Sequence, residues 1–288
     1  MGKKRVKKKL KAQLEEVRPS KSIPSVFQFG LPDHVMMAVK RLKRVRAPLI
    51  VQALAMMLLL SLSSTSLGWL QSFETFAGMA RYTQSSRASG LKSVAYEILY
   101  DSENFDFMGN LGFSTCMLLG LQMEPGGVSV NAPVCSTWVF MSRGSTKRTA
   151  WNPLGDRSLE VVKNANAMVS RMVIMLLIYT SLGVFWILEQ PGGSLLQEHP
   201  KFLWLCSIMP IYKARIKMGS YGGETEKPTW LYSNYQLVED IQAYATRTWH
   251  RDMATKSLAK AYIDNEGVKR CTGTAELKTS QAAIAVGW

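Results

Sequence analysis

The chain has 288 residues, of which 47% are apolar, and its formal net charge is +14. This apolar fraction supports a buried core and excludes a chain that is disordered throughout. The length allows one large domain or two small ones. The four cysteines form no CxxC pair and the three histidines are scattered, so the sequence predicts no metal site and no disulfide framework.

The positive charge is concentrated near the amino terminus. Residues 1–46 hold 14 Lys and Arg against three acidic residues, a net of +11, which leaves about +3 for the rest of the chain. We expect residues 1–46 to be a basic tail and linker without a fixed fold. The cluster Lys3–Lys11 is typical of a nuclear localisation signal or of a segment that binds an anionic surface. The pattern leaves two locations open, the nucleus or a membrane-bound compartment.

An uncharged window follows, from Ala47 to Phe73. Its most apolar part, Leu49–Leu60, is too short to cross a hydrocarbon layer of ~30 Å, but residues 47–70 together are long enough. Residues 47–70 are therefore predicted to form an apolar helix. This helix is a membrane anchor, a helix packed against the next domain, or a helix lying in a membrane interface.

Residues 71–234 alternate short apolar runs with segments of helical periodicity. Gly183 ends the most regular helical segment, 159–182. Strands are predicted at 72–76, 92–98, 128–132, 184–188, 211–221 and 229–232, and helices at 80–90, 108–123, 159–182 and 194–206. The alternation predicts an α/β domain with a doubly wound, mainly parallel, Rossmann-like sheet. Residues 235–288 are predicted to be a mostly helical, polar extension.

Ligands of such sheets bind outside the carboxyl ends of the strands. Four groups of residues fall at predicted strand ends: Phe76 with Gly78, Glu97, Cys135 and Glu189. A lone cysteine is most often a small buried hydrophobe. Its place in this ordered series makes Cys135 a candidate nucleophile.

Three of these stretches resemble motifs of the S-adenosylmethionine-dependent cytosine-C5 methyltransferases. Phe73–Ala80 is similar to the family's first motif, a strand followed by Phe-x-Gly-x-Gly. Pro133-Val134-Cys135 is similar to its Pro-Pro-Cys turn, and Glu189-Gln190-Pro191 to its Glu-Asn-Val/Pro motif. The resemblance covers roughly residues 71–234 and implies a methyltransferase sheet.

The resemblance also implies roles for these residues. Phe76 and Gly78 would hold the methionine end of S-adenosylmethionine, and Glu97 its ribose hydroxyls. Cys135 would attack carbon 6 of a flipped cytosine while Glu189 bonds the base's Watson–Crick edge. The implied partner is nucleic acid, DNA rather than RNA, with phosphate contacts from three basic residues of the loop 136–156: Arg143, Lys147 and Arg148.

Two other functions fit the same residues. Ala80, Val134 and Gln190 replace consensus residues of the family, and about 55 residues follow Asn234 where the family has a recognition domain. These departures favour a catalytically silent methyltransferase-like protein that acts as a binding or structural module, with membrane contact through residues 47–70. A cysteine hydrolase that pairs Cys135 with His199 is the third hypothesis.

Overall fold

A computed structural model of the chain describes residues 31–61, 68–221, 225–244, 259–267 and 269–273. Its strands are β1 (Leu70–Thr75), β2 (Ser93–Tyr96), β3 (Met123–Asn131), β4 (Phe185–Pro191), β5 (Tyr212–Lys217), β6 (Pro228–Ser233), β7 (Ala259–Ile263) and β8 (Lys269–Gly273). Its helices are α1 (Asp33–Arg44), α2 (Leu49–Leu60), α3 (Arg81–Ala88), α4 (Asn110–Leu121), α5 (Arg143–Thr146), α6 (Glu160–Leu182) and α7 (Pro200–Ile208).

Six strands form one mixed sheet in the order β2-β1-β3-β4-β6-β5. Strands β1 to β4 are mutually parallel, β6 runs antiparallel to β4, and β5 antiparallel to β6. The predicted α/β class and mainly parallel sheet are confirmed. The chain moves outward from β1 to β2 and returns to β3 on the other side of β1, so strand order reverses between β1 and β3. This reversal creates the crevice at the carboxyl edge where ligands of such sheets bind.

Successive side chains of a strand point to opposite sides of the sheet, and on both sides they pack into a core. Phe73, Trp186 and Leu188 belong to the larger core, which includes buried residues of α1, α2, α4 and α6. Ile187 belongs to a smaller core that β5, β6 and the 3-10 segment Gln236–Tyr244 complete. Helix α3 packs against β1 and β2.

Helix α6 is the central element of the larger core. Its apolar residues at three- and four-residue steps are largely buried, and Gly183 ends it with φ +75°, as the sequence predicts. Among the described residues, α6 is the one helix long and apolar enough to cross a bilayer, and half of that stretch is buried in the domain.

The uncharged window forms a packed helix over part of its length. Helix α2 covers Leu49–Leu60, and its Val51, Ala55 and Leu59 lie in the larger core. Residues 62–67, which the membrane-span prediction also needs, lie outside the described residues, as does the basic cluster Lys3–Lys11. Helix α1 precedes α2 and packs against it and α6, so residues 33–44 are folded, whereas residues 1–46 were predicted to lack a fixed fold.

Two further elements differ from the sequence prediction. Strand β4 runs on through Glu189 to Pro191, because β6 pairs with these residues. The extension 235–288, predicted to be mostly helical, contains in its described part a 3-10 segment and the hairpin β7–β8. A turn at Asp264–Gly267, with Gly267 at φ +77°, explains the hairpin, because a left-handed glycine there reverses the chain.

Candidate active site at the carboxyl edge of the sheet

The Cys135 turn leaves β3 at a firmly held residue, Asn131. The side-chain oxygen of Asn131 accepts a hydrogen bond from the Thr75 hydroxyl at 2.7 Å, and its amide nitrogen donates to the Ile187 carbonyl at 3.1 Å. Asn131 is fully buried and thereby joins the ends of β1, β3 and β4. Further on, the Trp138 amide donates to the Cys135 carbonyl at 2.9 Å, which closes the turn that presents the cysteine.

Glu189 lies beside this turn as a buried carboxylate. Its side chain has no solvent exposure, and Oε1 accepts a hydrogen bond from the Lys227 ammonium at 3.1 Å. Lys227 is itself 5% exposed. Oε2 has no hydrogen-bond partner within the described residues, although it is fully buried. A buried carboxylate oxygen without a donor is costly, so a polar group that reached Oε2 would gain a strong hydrogen bond there.

A close backbone approach places Lys227 over Glu189. The Gly192 amide donates to the Pro228 carbonyl at 2.7 Å. A Cβ at Gly192 would meet the Pro228 Cβ at 3.1 Å and its carbonyl oxygen at 3.2 Å. Glycine at position 192 therefore lets the start of β6 reach the end of β4.

Gln190 connects the glutamate strand to the cysteine turn. Its amide nitrogen donates to the Pro133 carbonyl at 3.1 Å, and its side-chain oxygen accepts from the Ser194 hydroxyl at 2.9 Å. Gln190 is 1% exposed. Gln190 thus positions the turn that carries Cys135.

The Cys135 thiol responds to both charges of the buried pair. Its pKa is raised above the ordinary value, chiefly by burial and further by the Glu189 carboxylate, whereas the Lys227 ammonium lowers it. The structure therefore brings Cys135 and Glu189 together, as the sequence predicts, and adds Lys227. At neutral pH the thiol is mostly protonated, so nucleophilic attack needs the thiolate fraction that Lys227 favours.

The loop after β1 is shaped by unusual backbone conformations. Phe76, Gly78 and Ala80 all have positive φ, at 57°, 53° and 51°. For Phe76 and Ala80 this left-handed conformation costs about 1–2 kcal/mol each, a strain found mainly at ligand and active sites. A Cβ at Gly78 would meet nothing within 4 Å, so open space lies against the loop.

Glu97 follows β2 and holds this loop. Its Oε2 accepts from the Gly78 amide at 2.8 Å, and its Oε1 from the Leu99 amide at 3.3 Å. The Tyr100 hydroxyl donates to the Gly78 carbonyl at 2.7 Å. The structure thus brings Gly78 and Glu97 together, while Ile98 and Leu99 next to them stay 45% and 83% exposed.

Arg148, which the sequence predicts to contact phosphate, lies in the interior instead. It is completely buried, stacks 3.5 Å above the Trp138 ring, and donates to Asn166 at 2.9 Å and to the carbonyls of Pro153 and Val162. Burial lowers its pKa to about 10. The guanidinium holds the loop 136–156 together, and phosphate cannot reach it.

The other two basic residues of that loop are accessible to different degrees. Lys147 is exposed. Arg143 is half-buried, donates to the Gly193 carbonyl at 3.3 Å and lies 5.3 Å from the centre of the Phe140 ring. Phe140 and Trp151 are 73% and 81% exposed, so this loop presents aromatic and cationic groups to solvent.

His199 is buried, and its ring already has interaction partners. Its Nδ1 accepts a hydrogen bond from the Lys201 amide at the start of α7, and its ring packs edge-on against Trp138 at 5.8 Å. Burial, followed by the nearby positive charges of Lys201 and Arg148, lowers its pKa to about 3. These contacts give His199 a structural role and leave the hydrolase hypothesis without support.

Sequence reasoning missed Lys227 and Asn131. Lys227 lies just before the strand predicted at 229–232, and a lysine in such a place is usually solvated. The signal that could have found it is Gly192, whose close approach to β6 brings the lysine to Glu189. No family model and no curated protein matches the sequence.

Proposed function

We propose that the chain is an S-adenosylmethionine-dependent methyltransferase that acts on carbon 5 of cytosine in nucleic acid through Cys135. One observation carries the proposal. A cysteine turn and a buried glutamate with an unpartnered Oε2 lie at the carboxyl ends of neighbouring parallel strands, close enough for the carboxylate to shift the thiol's pKa. This pairing is what the resemblance to cytosine-C5 methyltransferases implies.

Cys135 supplies the nucleophile in this proposal. Its thiolate forms a bond to carbon 6 of the cytosine, and the electron pair of the 5,6 double bond moves onto the ring, which makes carbon 5 nucleophilic. Carbon 5 would then take the methyl group from S-adenosylmethionine, leaving S-adenosylhomocysteine, and would lose its proton to a solvent water. The electron pair of that C–H bond re-forms the 5,6 double bond as the Sγ–C6 bond breaks and releases the thiolate. Thiols suit this cycle because they add and leave reversibly.

Glu189 orients the base and balances its charge. Oε1 is held by Lys227, so Oε2 accepts hydrogen bonds from the base's Watson–Crick edge. A carboxylate facing ring N3 favours a proton there, which offsets the negative charge that thiolate addition brings onto the ring. Lys227 pairs with Oε1 of Glu189 and lowers the thiol's pKa, so one residue supports both groups.

The loop after β1 fits the cofactor that the resemblance implies. Gly78 borders open space, and Glu97 presents a carboxylate at the adjoining strand end. Exposed Ile98 and Leu99 offer an apolar surface for a planar ring. These residues would hold S-adenosylmethionine, which when bound supplies the methyl group.

The loop 136–156 supports a nucleic-acid substrate. Exposed Phe140 and Trp151 can stack on bases, and Lys147 and Arg143 can contact phosphates. Extruding a base from a duplex costs a few kcal/mol, which contacts in the site must offset.

A catalytically silent methyltransferase-like module is the second candidate. The observation that favours it is the raised pKa of the Cys135 thiol, which leaves little thiolate at neutral pH. Such a protein would bind S-adenosylmethionine without forming a covalent link to nucleic acid.

Trapping the covalent intermediate tests the proposal. The full chain is incubated with S-adenosylmethionine and DNA or RNA oligonucleotides containing 5-fluorocytosine, whose fluorine blocks the final proton loss. We expect a denaturation-resistant adduct that Cys135→Ser abolishes and that forms faster as pH rises, since the thiol's pKa is raised. Cys206→Ser, at an exposed cysteine on α7, is the matched control and should leave the adduct unchanged. An adduct that survives Cys135→Ser, or none on either nucleic acid when cofactor binds, contradicts catalysis through Cys135.

A further inference from the structure

Helix α2 exposes an apolar face on the side opposite the core. Val51, Ala55 and Leu59 point inward, and at 100° per residue the opposite face carries other residues. Four of these are exposed by 43–63%: Leu49, Ile50, Met57 and Leu60. A packed helix of a domain normally presents polar residues there, so this face is unusual.

Helix α1 lies against α2 and exposes a cationic face. Its Val35, Ala38 and Leu42 are buried, while Lys40, Lys43 and Arg44 point outward on the opposite side. Arg46, in the turn between the two helices, is also exposed. Asp33 is the one acidic residue of α1 and α2. The packed helix pair thus carries an apolar strip on α2 and a cationic strip on α1.

We propose that this pair of helices is a docking surface for an anionic lipid bilayer. The apolar residues of α2 would enter the boundary between headgroups and acyl chains, and the α1 cations would contact the negative headgroups. A 12-residue helix is about 18 Å long, too short to cross a ~30 Å hydrocarbon layer, and its other face is packed in the core. The helix pair thus lies on the membrane rather than spanning it.

The charge pattern favours an anionic bilayer over other partners for this surface. A second copy of the chain would bring the same cations face to face, which like-charge repulsion disfavours. Nucleic acid would match the cations but leave the apolar strip in water. A bilayer with anionic lipids matches both strips, and the surface functions independently of methyl transfer.

Vesicle flotation of the full chain tests the surface. We expect binding to phosphatidylcholine vesicles containing about 30% phosphatidylserine and much weaker binding to pure phosphatidylcholine. Met57→Glu should lower the partition coefficient at least ~10-fold, since a charge is placed in the apolar strip. Val161→Glu is the matched control, because Val161 is 57% exposed and Met57 is 56% exposed. It should leave binding unchanged.

The cationic strip is tested with a charge reversal. The double variant Lys40→Glu/Lys43→Glu should abolish the preference for anionic vesicles, while Lys92→Glu, an exposed lysine outside α1, should retain it. Both helix variants change exposed side chains, and their thermal unfolding should match that of the parent. The proposal is overturned by anionic binding that Met57→Glu leaves intact, which would assign it to residues 1–30. A dimer that Met57→Glu dissociates, without vesicle binding, would also overturn it.

Discussion

The carboxyl ends of β3 and β4 are joined by buried side-chain hydrogen bonds, whereas the loop after β1 combines a left-handed backbone with a hydrogen bond to the Glu97 carboxylate. At β3 and β4, Asn131, Gln190 and Lys227 hold a partly exposed Cys135 beside a fully buried Glu189. At β1 and β2, a strained loop borders open space beside exposed Leu99. The first arrangement suits chemistry that needs fixed geometry, and the second suits a ligand whose contacts form on binding.

The buried pair gives the largest expected effect on stability. Lys227→Met leaves Glu189 buried and unpaired and should lower the free energy of unfolding by about 3–5 kcal/mol. Lys227→Met/Glu189→Met should recover most of that loss, since no charge remains to bury. Urea unfolding of the three proteins measures both quantities.

The same hairpin offers a matched control for this pair. Lys217 and Glu226 are 3.3 Å apart with side chains 60% and 34% exposed, so Lys217→Met should cost less than about 1 kcal/mol. If Lys227→Met lowers the free energy of unfolding no more than Lys217→Met does, water reaches Glu189 and the Lys227–Glu189 pair is not buried.

The strand ends at this edge were predictable because they depend on local patterns. Apolar runs with a period of two or 3.6, punctuated by Gly and Pro, place Phe76, Glu97, Cys135 and Glu189 at neighbouring strand ends without knowledge of contacts. The parallel sheet then brings them to one side.

Arg148 and Lys227 could not be predicted, because their environments come from distant residues. Arg148 is buried by Trp138, Asn166 and the carbonyls of Pro153 and Val162, and the loop sequence alone resembles a solvated basic loop. Lys227 reaches Glu189 only through the register of β6 on β4. The β7–β8 hairpin was missed because each of its strands has only five residues, too few to show a clear alternation of apolar and polar side chains.

A second test of the buried region uses pH. The pKa of His199 is lowered to about 3, so between pH 6.5 and 3 the unfolded chain binds a proton that the folded chain does not. Stability should therefore fall as pH falls through this range, by about 2 kcal/mol between pH 7 and pH 5 from this group. His199→Asn keeps a side-chain acceptor for the start of α7 and removes the titration. Urea unfolding at both pH values should show a smaller loss in the variant. Equal losses would place a charged or solvated imidazole in the folded protein.

Substitutions in the loop after β1 should change the free energy of unfolding only slightly, because the backbone strain there is confined to single residues. Ala80→Gly removes a left-handed alanine at φ 51° and should raise the free energy of unfolding by up to about 1 kcal/mol, partly offset by the greater freedom of glycine in the unfolded chain. Ala88→Gly, at the ordinary end of α3, should instead lower it by about 0.5–1 kcal/mol. Equal losses in both variants would mean that the loop after β1 is not strained.

Calorimetric titration of the full chain with S-adenosylmethionine tests the central claim most directly. We predict saturable binding at one site that Glu97→Ala weakens at least ~10-fold, because a carboxylate hydrogen bond to the ligand and the brace on the loop are both lost. Glu103→Ala, which removes an exposed acid from the same segment, should bind like the parent. The absence of saturable binding by the parent, or equal binding by Glu97→Ala, would contradict the assignment of this edge as a methyltransferase site.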